Sequence, residues 1–304
     1  MNYEYYKIFY YVGKHKNISK AAAEMRSSQP AVSRVIQSLE HDFGCRLFTR
    51  TNSGVEFTNE GKTLYEYVQI AHSQLIRGEE EVSRSVNVEN GVIHIGATIT
   101  CLQGFLYEAL NRFRTIHPNV KIKINTGSNN GTIEKLKNGL FDIAFVSTPC
   151  KITKDLSATP VKKFNDYLIA GNNYDFLKDK VLSLKEINDY PVVSLRPTMQ
   201  LRQFIDDFFA DNDLSVTPDV EADNVGLVPE FIAQNFGLGY VPEDMAKPFI
   251  DKGKIFRVKT EKELPPRYVY MITDPNHPRT NASRMLSKTI KEQIKASNFP
   301  KNVR

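Results

Sequence analysis

Cysteine is scarce in this sequence, tryptophan is absent, and no long apolar run occurs. The three cysteines, Cys45, Cys101 and Cys150, are odd in number and far apart, so we expect neither a disulfide framework nor a zinc site. No stretch approaches the ~18 consecutive apolar residues of a membrane span, and no secretory signal is visible. These absences favour a reduced, metal-free cytoplasmic protein without a membrane partner.

An excess of charge of one sign is also missing from most of the chain. The 40 basic and 35 acidic residues give a formal net charge of +5, and residues 284–304 alone account for it. Residues 1–57 carry a charge of +3 and residues 58–90 a charge of −3. The net charge therefore does not indicate a nucleic-acid partner, whereas its local distribution gives a basic N-terminal segment followed by an acidic one.

Catalytic constellations are missing as well. The sequence offers no nucleophile–base pair, no glycine-rich phosphate loop and no metal-ligand set, so we expect neither an enzyme nor a cofactor. The chain is nevertheless long enough for more than one domain, since 304 residues correspond to about two domains of ordinary size.

The first 57 residues have the pattern of three helices followed by a hairpin. Asn2 is a good N-cap for the first helix, Ser19 for the second and Ser28 for the third. Apolar residues recur along the third helix at helical spacing, and Gly54 permits a turn between two short strands.

This order of elements suits a DNA-binding head, because a major groove accepts one helix while the preceding helix contacts the backbone. Gln29 can pair with adenine, Ala31 can contact a thymine methyl group, and Arg34 can reach guanine or phosphate. The candidate DNA-binding residues of the helices and hairpin are Ser19, Lys20, Ser28, Gln29, Pro30, Ala31, Ser33, Arg34, Gln37, Arg50 and Asn52. The competing interpretation is an ordinary solvated helix face.

Residues 58–86 predict one long helix that begins at the N-cap Thr58. Apolar or small residues alternate at spacings of three and four, which is the seam of a two-stranded coiled coil; they are Gly61, Leu64, Val68, Ala71, Leu75, Gly78 and Val82. A seam of this length needs a partner helix, so we expect a homodimer through residues 58–86.

From residue 91 onward, strands and helices alternate, which predicts a mostly parallel α/β arrangement. The pattern restarts after residue 163 and returns at the end of the chain. We therefore expect lobe I to comprise 91–163 and 267–304 and lobe II to comprise 164–266, with crossovers near 162–166 and 265–267.

The motifs of the first 65 residues resemble those of LysR-type transcriptional regulators. The resemblance rests on Ile18-Ser19-Lys20-Ala21-Ala22, Ser28 to Arg34, Leu39-Glu40, Gly44 to Arg50, and Thr58-Asn59-Glu60-Gly61. It implies an α/β chain with an N-terminal winged helix-turn-helix (1–57), a dimerisation helix (58–90) and a two-lobed, periplasmic-binding-protein-like (type 2) effector domain (91–304). It also implies DNA contacts by Gln29, Pro30, Ser33, Arg34 and Arg50, promoter DNA as partner, and assembly as a homotetramer.

The effector site implied between the lobes is less sharply marked. Hydroxyl residues follow strand ends in lobe I, and an anionic effector can be held there at helix N-termini. We expect a carboxylate-like ligand, and the candidate residues are Thr98, Thr100, Ser128, Ser147, Arg196, Val225 and Tyr240. Arg196 is chosen because a guanidinium binds carboxylates bidentately, and Tyr240 because its segment resembles a cleft wall of the family. Ordinary loop caps are the alternative.

Two further alternatives remain at this point. The two lobes alone would also suit a cytosolic or exported solute-binding protein, although the N-terminal head and the helix after it count against that class. Cys101 borders the expected site, and we expect it to be a buried, inert thiol. We expect the basic face of the C-terminal helix to be exposed to solvent. A contact with RNA polymerase is a further expectation for a regulator of this type.

Overall fold

The computed structural model of the chain describes residues 2–51, 53–84 and 91–296. The chain divides into two compact units, residues 1–86 and 87–304. Asn52 and the expected boundary between residues 90 and 91 lie outside the described residues.

The first unit begins with three helices that enclose a small apolar core. They are α1 (Tyr3–His15), α2 (Ile18–Glu24) and α3 (Gln29–Phe43). The core combines the inner face of each helix with the residues that follow α3, and its buried members are Phe9, Val12, Ala21, Ala22, Val32, Ile36, Leu39, Leu47, Phe48, Val55 and Val68. The two buried alanines of α2 let the neighbouring helices approach closely.

Local capping fixes where these helices start. The side chain of Asn2 accepts a hydrogen bond from Glu4 N, and that of Ser28 accepts one from Ala31 N. The expected cap Ser19 is wrong, because the Asn17 side chain accepts from Lys20 N and α2 begins at Ile18. Asn17 caps as well as serine does, so the helix begins before the expected residue.

A two-stranded hairpin follows α3. Strand β1 (Phe48–Thr51) pairs antiparallel with β2 (Gly54–Phe57). Gly54 lies in a region of backbone space that other residues avoid (φ +150°), and a side chain there would collide with the Lys16 carbonyl. Val55 N donates to that same carbonyl at 2.9 Å, which ties the hairpin to the end of α1.

The long helix α4 (Asn59–Arg84) divides into two halves with different surroundings. In the first half, a Cβ on Gly61 would lie 1.9 Å from the Leu47 carbonyl oxygen, and Val68 is buried in the head core. In the second half, Leu75 is 49% exposed and Val82 is 73% exposed. The predicted seam therefore starts as part of the head and continues as an exposed apolar stripe.

Lobe I of the second unit is built on a five-stranded sheet. Its strands are β3 (Val92–Ala97), β4 (Lys121–Thr126), β5 (Ile143–Ser147), β6 (Ser157–Phe164) and β14 (Arg267–Thr273), in the order β4-β3-β5-β14-β6. Its helical segments are α5 (Ile99–Cys101), a π-helical turn (Leu102–Leu106), α6 (Tyr107–Ile116), α7 (Asn129–Lys137) and α11 (Asn281–Ala296). The buried side of α11 packs into the same core as α6.

Lobe II contains one three-stranded sheet and two short parallel pairs of strands. Its strands are β7 (Asp166–Gly171), β8 (Val181–Leu182), β9 (Val193–Leu195), β10 (Val220–Ala222), β11 (Leu238–Pro242), β12 (Ile255–Arg257) and β13 (Lys259–Thr260). Its helices are α8 (Gln200–Ala210), α9 (Leu227–Ala233) and α10 (Glu243–Ile250), with 3-10 turns at Asn172–Leu177 and Glu186–Asp189.

The expectation of a mostly parallel sheet holds only in part. Strands β3, β4 and β5 are parallel, but β14 runs antiparallel to both β5 and β6, and β7 antiparallel to β11 and β12. The reversed strand β14 begins at the crossover where the chain re-enters lobe I. Among the described residues, none of the helices combines the length and the apolar character of a bilayer span.

Candidate functional site

The exposed face of α3 carries polar side chains without protein partners. Gln29, Arg34 and Gln37 are exposed, and none makes a side-chain hydrogen bond or ion pair with a described residue. Ser28, Pro30 and Ala31 are exposed in the same turn, while Ser33 is half-buried. Donors and acceptors that the fold leaves unused in one helix face are available to a ligand in solution.

Neighbouring elements also carry exposed polar side chains. Ser19 and Lys20 are in the first turn of α2, where Lys20 is exposed, and Arg50 is exposed on β1 with no partner among the described residues. The turn between α2 and α3 passes through Arg26 in the left-handed region (φ 52°), which lets the two helices cross. The arrangement is a helix-turn-helix with an adjoining two-stranded wing.

Glu40 fixes the wing against α3, a role that its place in the sequence did not indicate. The residue is 9% exposed, and Oε1 accepts from Leu47 N at 2.8 Å and from Phe48 N at 3.2 Å. Oε2 lies 3.4 Å from the Arg46 guanidinium. A glutamate in the last turns of a helix gives no sequence signal for this contact, because its oxygens accept from a segment that follows later.

The second unit contains a cavity of about 530 Å³ between its two lobes. Both lobes contribute to its walls, and the lining residues are Thr98, Ile99, Thr100, Thr126, Gly127, Ser128, Asn129, Asn130, Ser147, Thr148, Leu195, Thr198, Met199, Gln200, Leu201, Asp223, Asn224, Val225 and Arg267. The volume is within the range of small-molecule sites. Gln200 Nε2 of lobe II donates to Asn130 Oδ1 of lobe I at 3.2 Å, so one hydrogen bond joins the two walls.

Lobe I supplies hydroxyl groups at two helix starts. Thr98 caps α5 by accepting from Cys101 N, and Ser128 caps α7 by accepting from Gly131 N at 3.2 Å. Asn129 is buried; its side chain donates to Ser147 O at 2.6 Å and accepts from Ser147 N at 3.1 Å. This pair of hydrogen bonds fixes the end of β5 against the start of α7 and so shapes the lobe I wall.

A buried ion pair joins the two crossovers at the cavity. Arg267, at the start of β14, is 3% exposed and donates to Asp166 at the start of β7 through Nε at 2.6 Å and Nη2 at 2.8 Å. Its Nη1 donates to the Thr148 carbonyl at 3.1 Å. Arg267 thus contacts the cavity, lobe I and the first strand of lobe II. The sequence did not indicate Arg267 as a cavity residue, because the order of strands and helices predicted only that it lies in the crossover at 265–267.

The structure separates the predicted effector residues into two groups. Thr98, Thr100, Ser128, Ser147 and Val225 line the cavity. Two other predicted residues, Arg196 and Tyr240, are absent from its lining.

The two absent residues have different environments. Arg196 is exposed beyond the end of β9, and no described residue bonds to its guanidinium. Tyr240 lies in the core of lobe II, where burial raises the pKa of its phenol. The burial of this side chain follows from the packing of β11, which residue type alone does not reveal.

Cys101 lies in α5 of lobe I and is fully buried. Burial raises the pKa of its thiol to about 12, and burial raises that of Cys150 to about 11. A thiol that stays protonated at neutral pH is a poor nucleophile. In the described part of the chain, no group of three or more histidine, cysteine, aspartate or glutamate residues could hold a metal ion.

Comparison with known families agrees with both units. Residues 4–62 match the family described as "Bacterial regulatory helix-turn-helix protein, lysR family", and residues 87–295 match "LysR substrate binding domain". Among curated relatives, the HTH-type transcriptional regulator cbl of Escherichia coli is 25% identical over 245 residues, which are 80% of this chain and 78% of the relative. The HTH-type transcriptional regulator AlsR of Bacillus subtilis is 23% identical over 279 residues, covering 91% and 92%.

Solved structures share the fold of both units. The structure of full-length CbnR in complex with its target DNA superposes with a TM-score of 0.76 at 16% identity, covering 96% of this chain and 99% of CbnR. A full-length variant of OxyR from Pseudomonas aeruginosa gives a TM-score of 0.67 at 18% identity, covering 96% and 95%. The predicted fold class is confirmed, and the chain belongs to the LysR family of transcriptional regulators.

Proposed function

We propose that α3 and the hairpin bind promoter DNA, and that a small carboxylate-bearing effector in the inter-lobe cavity changes this regulatory activity in the cytoplasm. The observation that carries the effector part of the proposal is the inter-lobe cavity, because a ligand bound there touches both lobes at once. Binding that differs between the open and closed arrangements of the lobes shifts the population of the two states.

The DNA contacts are assigned by position on the exposed face. The first turn of α3 offers Gln29 and Ala31 to base edges, and Arg34 one turn later to guanine or phosphate. Gln37 extends this face. Ser19, Lys20 and Ser28 are assigned to backbone contacts. The family resemblance gives Pro30 and Ser33 base or backbone contacts. Arg50 of the wing is assigned to phosphate or the minor groove.

The effector contacts are assigned to the predicted residues that line the cavity. Thr98, Thr100, Ser128 and Ser147 supply the lobe I wall, and Val225 the lobe II wall. Arg196 and Tyr240 take no part in this assignment. Arg267 supplies the cationic group in place of Arg196, although its charge is balanced by Asp166.

Two copies of the chain are proposed to pair through the second half of α4, where the seam is exposed. Dimers of this kind would hold two heads on half-sites about one helical turn apart, ~34 Å centre to centre. Pairing of two dimers to a homotetramer, and a contact with RNA polymerase, belong to the same proposal. The alternative of a solute-binding protein is not favoured, because the N-terminal family match covers residues 4–62.

A gel-shift titration with DNA from upstream of the chain's own coding region tests the DNA proposal. The wild-type protein is expected to bind this DNA in preference to an unrelated fragment of equal length. The Arg34→Ala variant should bind about tenfold more weakly or worse, the effect of losing one base or phosphate contact. Lys288→Ala on the exposed side of α11 should bind as the wild type does. If all three proteins bind this DNA equally well, the assignment of DNA contacts to α3 is wrong.

A further inference from the structure

The cavity wall contains few charged side chains, and not all of them have an ion-pair partner among the described residues. Among the lining residues only Arg267 and Asp223 carry formal charges. Arg267 is neutralised by the buried carboxylate of Asp166. Asp223 lies just beyond the end of β10, is exposed, and forms no hydrogen bond or ion pair with any described residue. The cavity therefore has one uncompensated negative charge, and it is on the lobe II wall.

A cation of the protein could have balanced this carboxylate, but the described residues provide none. Arg196 lies beyond the end of β9, the strand that pairs with β10, and its backbone N–H donates to Ala222 O at 3.0 Å. Its guanidinium nevertheless makes no ion pair with Asp223 or with any other described residue. Asp223 is thus available to a cationic group from solution.

The lobe I wall has the opposite character, because it is rich in hydrogen-bond donors. The hydroxyl of Ser128 accepts from Gly131 N and keeps its proton to donate. The hydroxyl of Thr98 accepts from Cys101 N. The first amides of α7 have no acceptor within that helix. Thr100 is only 9% exposed, yet it lines the cavity and its hydroxyl has no partner among the described residues.

Arg267 adds to the same donor set. Its Nη1 and Nη2 each make one hydrogen bond within the protein, and each carries two N–H groups. One N–H group on each nitrogen therefore has no hydrogen-bond acceptor among the described residues. Hydrogen-bond donors with little net positive charge can bind one carboxylate of a ligand, but they do not favour a second anionic group on it.

We propose that the effector is a zwitterion of the α-amino acid type, with its carboxylate bound by the lobe I wall and its ammonium group bound by Asp223. This inference rests on the proposed effector function of the same cavity. A dicarboxylate would place a second anion near Asp223, and an uncharged ligand would leave that carboxylate unpaired at a closing interface. A ligand held at both ends also joins lobe I to lobe II, next to the hydrogen bond between Gln200 and Asn130.

The test is a thermal-shift and calorimetric titration of the full-length protein with the twenty L-α-amino acids. For every amino acid that binds, the 2-hydroxy acid with the same side chain replaces the ammonium group by a hydroxyl, and the corresponding amine lacks the carboxylate. We expect the amino acid to bind and both analogues to bind about ten- to a hundredfold more weakly, as for the loss of a hydrogen-bonded charge.

Two variants locate the ammonium site. Asp223→Asn should weaken binding of the amino acid by about the same factor and leave binding of the 2-hydroxy acid unchanged. Asp207→Asn makes the same charge change on the exposed side of α8, outside the cavity lining, and should bind as the wild type does.

The inference is overturned if the 2-hydroxy acid binds as tightly as the amino acid, if Asp223→Asn has no effect, or if no amino acid binds. None of these results touches the regulatory function, which the gel-shift titration decides separately. If the protein binds an amino acid but does not bind DNA, the proposed ligand class is retained and the proposed DNA-binding function is rejected.

Discussion

Arg34 and Glu40 belong to the same helix and have opposite environments. Arg34 is exposed and makes no side-chain hydrogen bond or ion pair with a described residue, whereas Glu40 is buried and holds two amides of the segment leading into the wing. The fold therefore does not depend on Arg34 for its stability, and DNA binding depends on Glu40 only through the position of the wing. Substitutions at the two residues should separate binding from folding.

Replacement of Glu40 by alanine should destabilise the head. The change leaves Leu47 N and Phe48 N without their acceptor in a buried setting, which costs about 1–3 kcal/mol for each unsatisfied group. We expect the first unfolding transition in calorimetry to move to lower temperature by several degrees. Glu40→Gln keeps an acceptor oxygen and should recover most of the loss. Unchanged melting of the alanine variant would show that water replaces the carboxylate.

At the inter-lobe cavity, residue type was a poor guide to which arginine lines the wall. Arg196 follows a strand that ends at the cleft, and this position favoured it, but the side chain beyond β9 does not line the cavity. Arg267 lines it because two distant crossovers meet there, a relation set by a contact between residues 101 positions apart. Hydroxyl residues at helix starts were easier to find, since capping is a local property of the sequence.

Among the elements, α4 carries one repeat of apolar residues through two different environments. Its N-terminal half packs against the hairpin and α1, and its C-terminal half exposes Leu75 and Val82. The periodicity predicted the helix and its apolar side but not the point where the head ends, because the spacing of three and four is the same in both halves.

Charging the exposed half of the seam should prevent pairing of two chains. Leu75→Glu places a carboxylate on the stripe, and we expect the protein to sediment as a smaller assembly than the wild type at micromolar concentration. Ile76→Glu is a matched control, because Ile76 is 39% exposed next to the seam position Leu75, which is 49% exposed, but is turned about 100° away from it around the helix. If both variants sediment as the wild type does, α4 is not the dimerisation element.

The contact between α1 and α4 contains a buried titratable group, His72. Its Nδ1 lies 2.9 Å from the Tyr3 hydroxyl, and its ring lies 4.4 Å from that of Tyr10. Burial lowers the pKa of His72 below its ordinary value of 6.5; the charges of Lys7 and Lys14 act in the same direction, and Glu79 acts against them. Protonation of His72 is therefore easier in the unfolded chain than in the folded head.

Because the folded-state pKa is depressed, the stability contributed by neutral His72 is complete above about pH 6.5 and is lost as the pH falls below that value. We expect the melting temperature of the head to decline between about pH 7 and pH 5.5. His72→Gln removes the titration and should flatten this decline. Parallel pH profiles for the two proteins would assign the decline to other groups.

Elements with caps were predicted closely, since α1 and α3 begin directly after the predicted caps Asn2 and Ser28. Strand β6 was missed because it contains Pro160 and two lysines, a composition that fits an edge strand and not a central one. Its edge position in the sheet became visible only from the pairing with β14. That antiparallel pairing joins segments about a hundred residues apart, so the alternation of elements along the chain could not reveal it.

At the scale of the molecule, the small net charge conceals a strong separation between the lobes. Residues 91–163 and 267–304 of lobe I contain eighteen lysines and arginines and six aspartates and glutamates. Residues 164–266 of lobe II contain eleven and eighteen, respectively. The contrast is hidden in the linear sequence, because lobe I is discontinuous and the acidic lobe II lies between its two parts.

The charge of lobe I makes the salt dependence of DNA binding a sharp test of which basic groups contact phosphate. Each contact contributes about 0.9 to the slope of log K against log salt, so Arg34→Ala with Arg50→Ala should lower its magnitude by about 2. Replacing the basic residues of α11, Arg284, Lys288, Lys291 and Lys295, removes four charges without touching the head. We expect this second variant to keep the wild-type slope, because a cation contributes only where it lies against a phosphate. A smaller slope for the α11 variant would show instead that lobe I binds DNA.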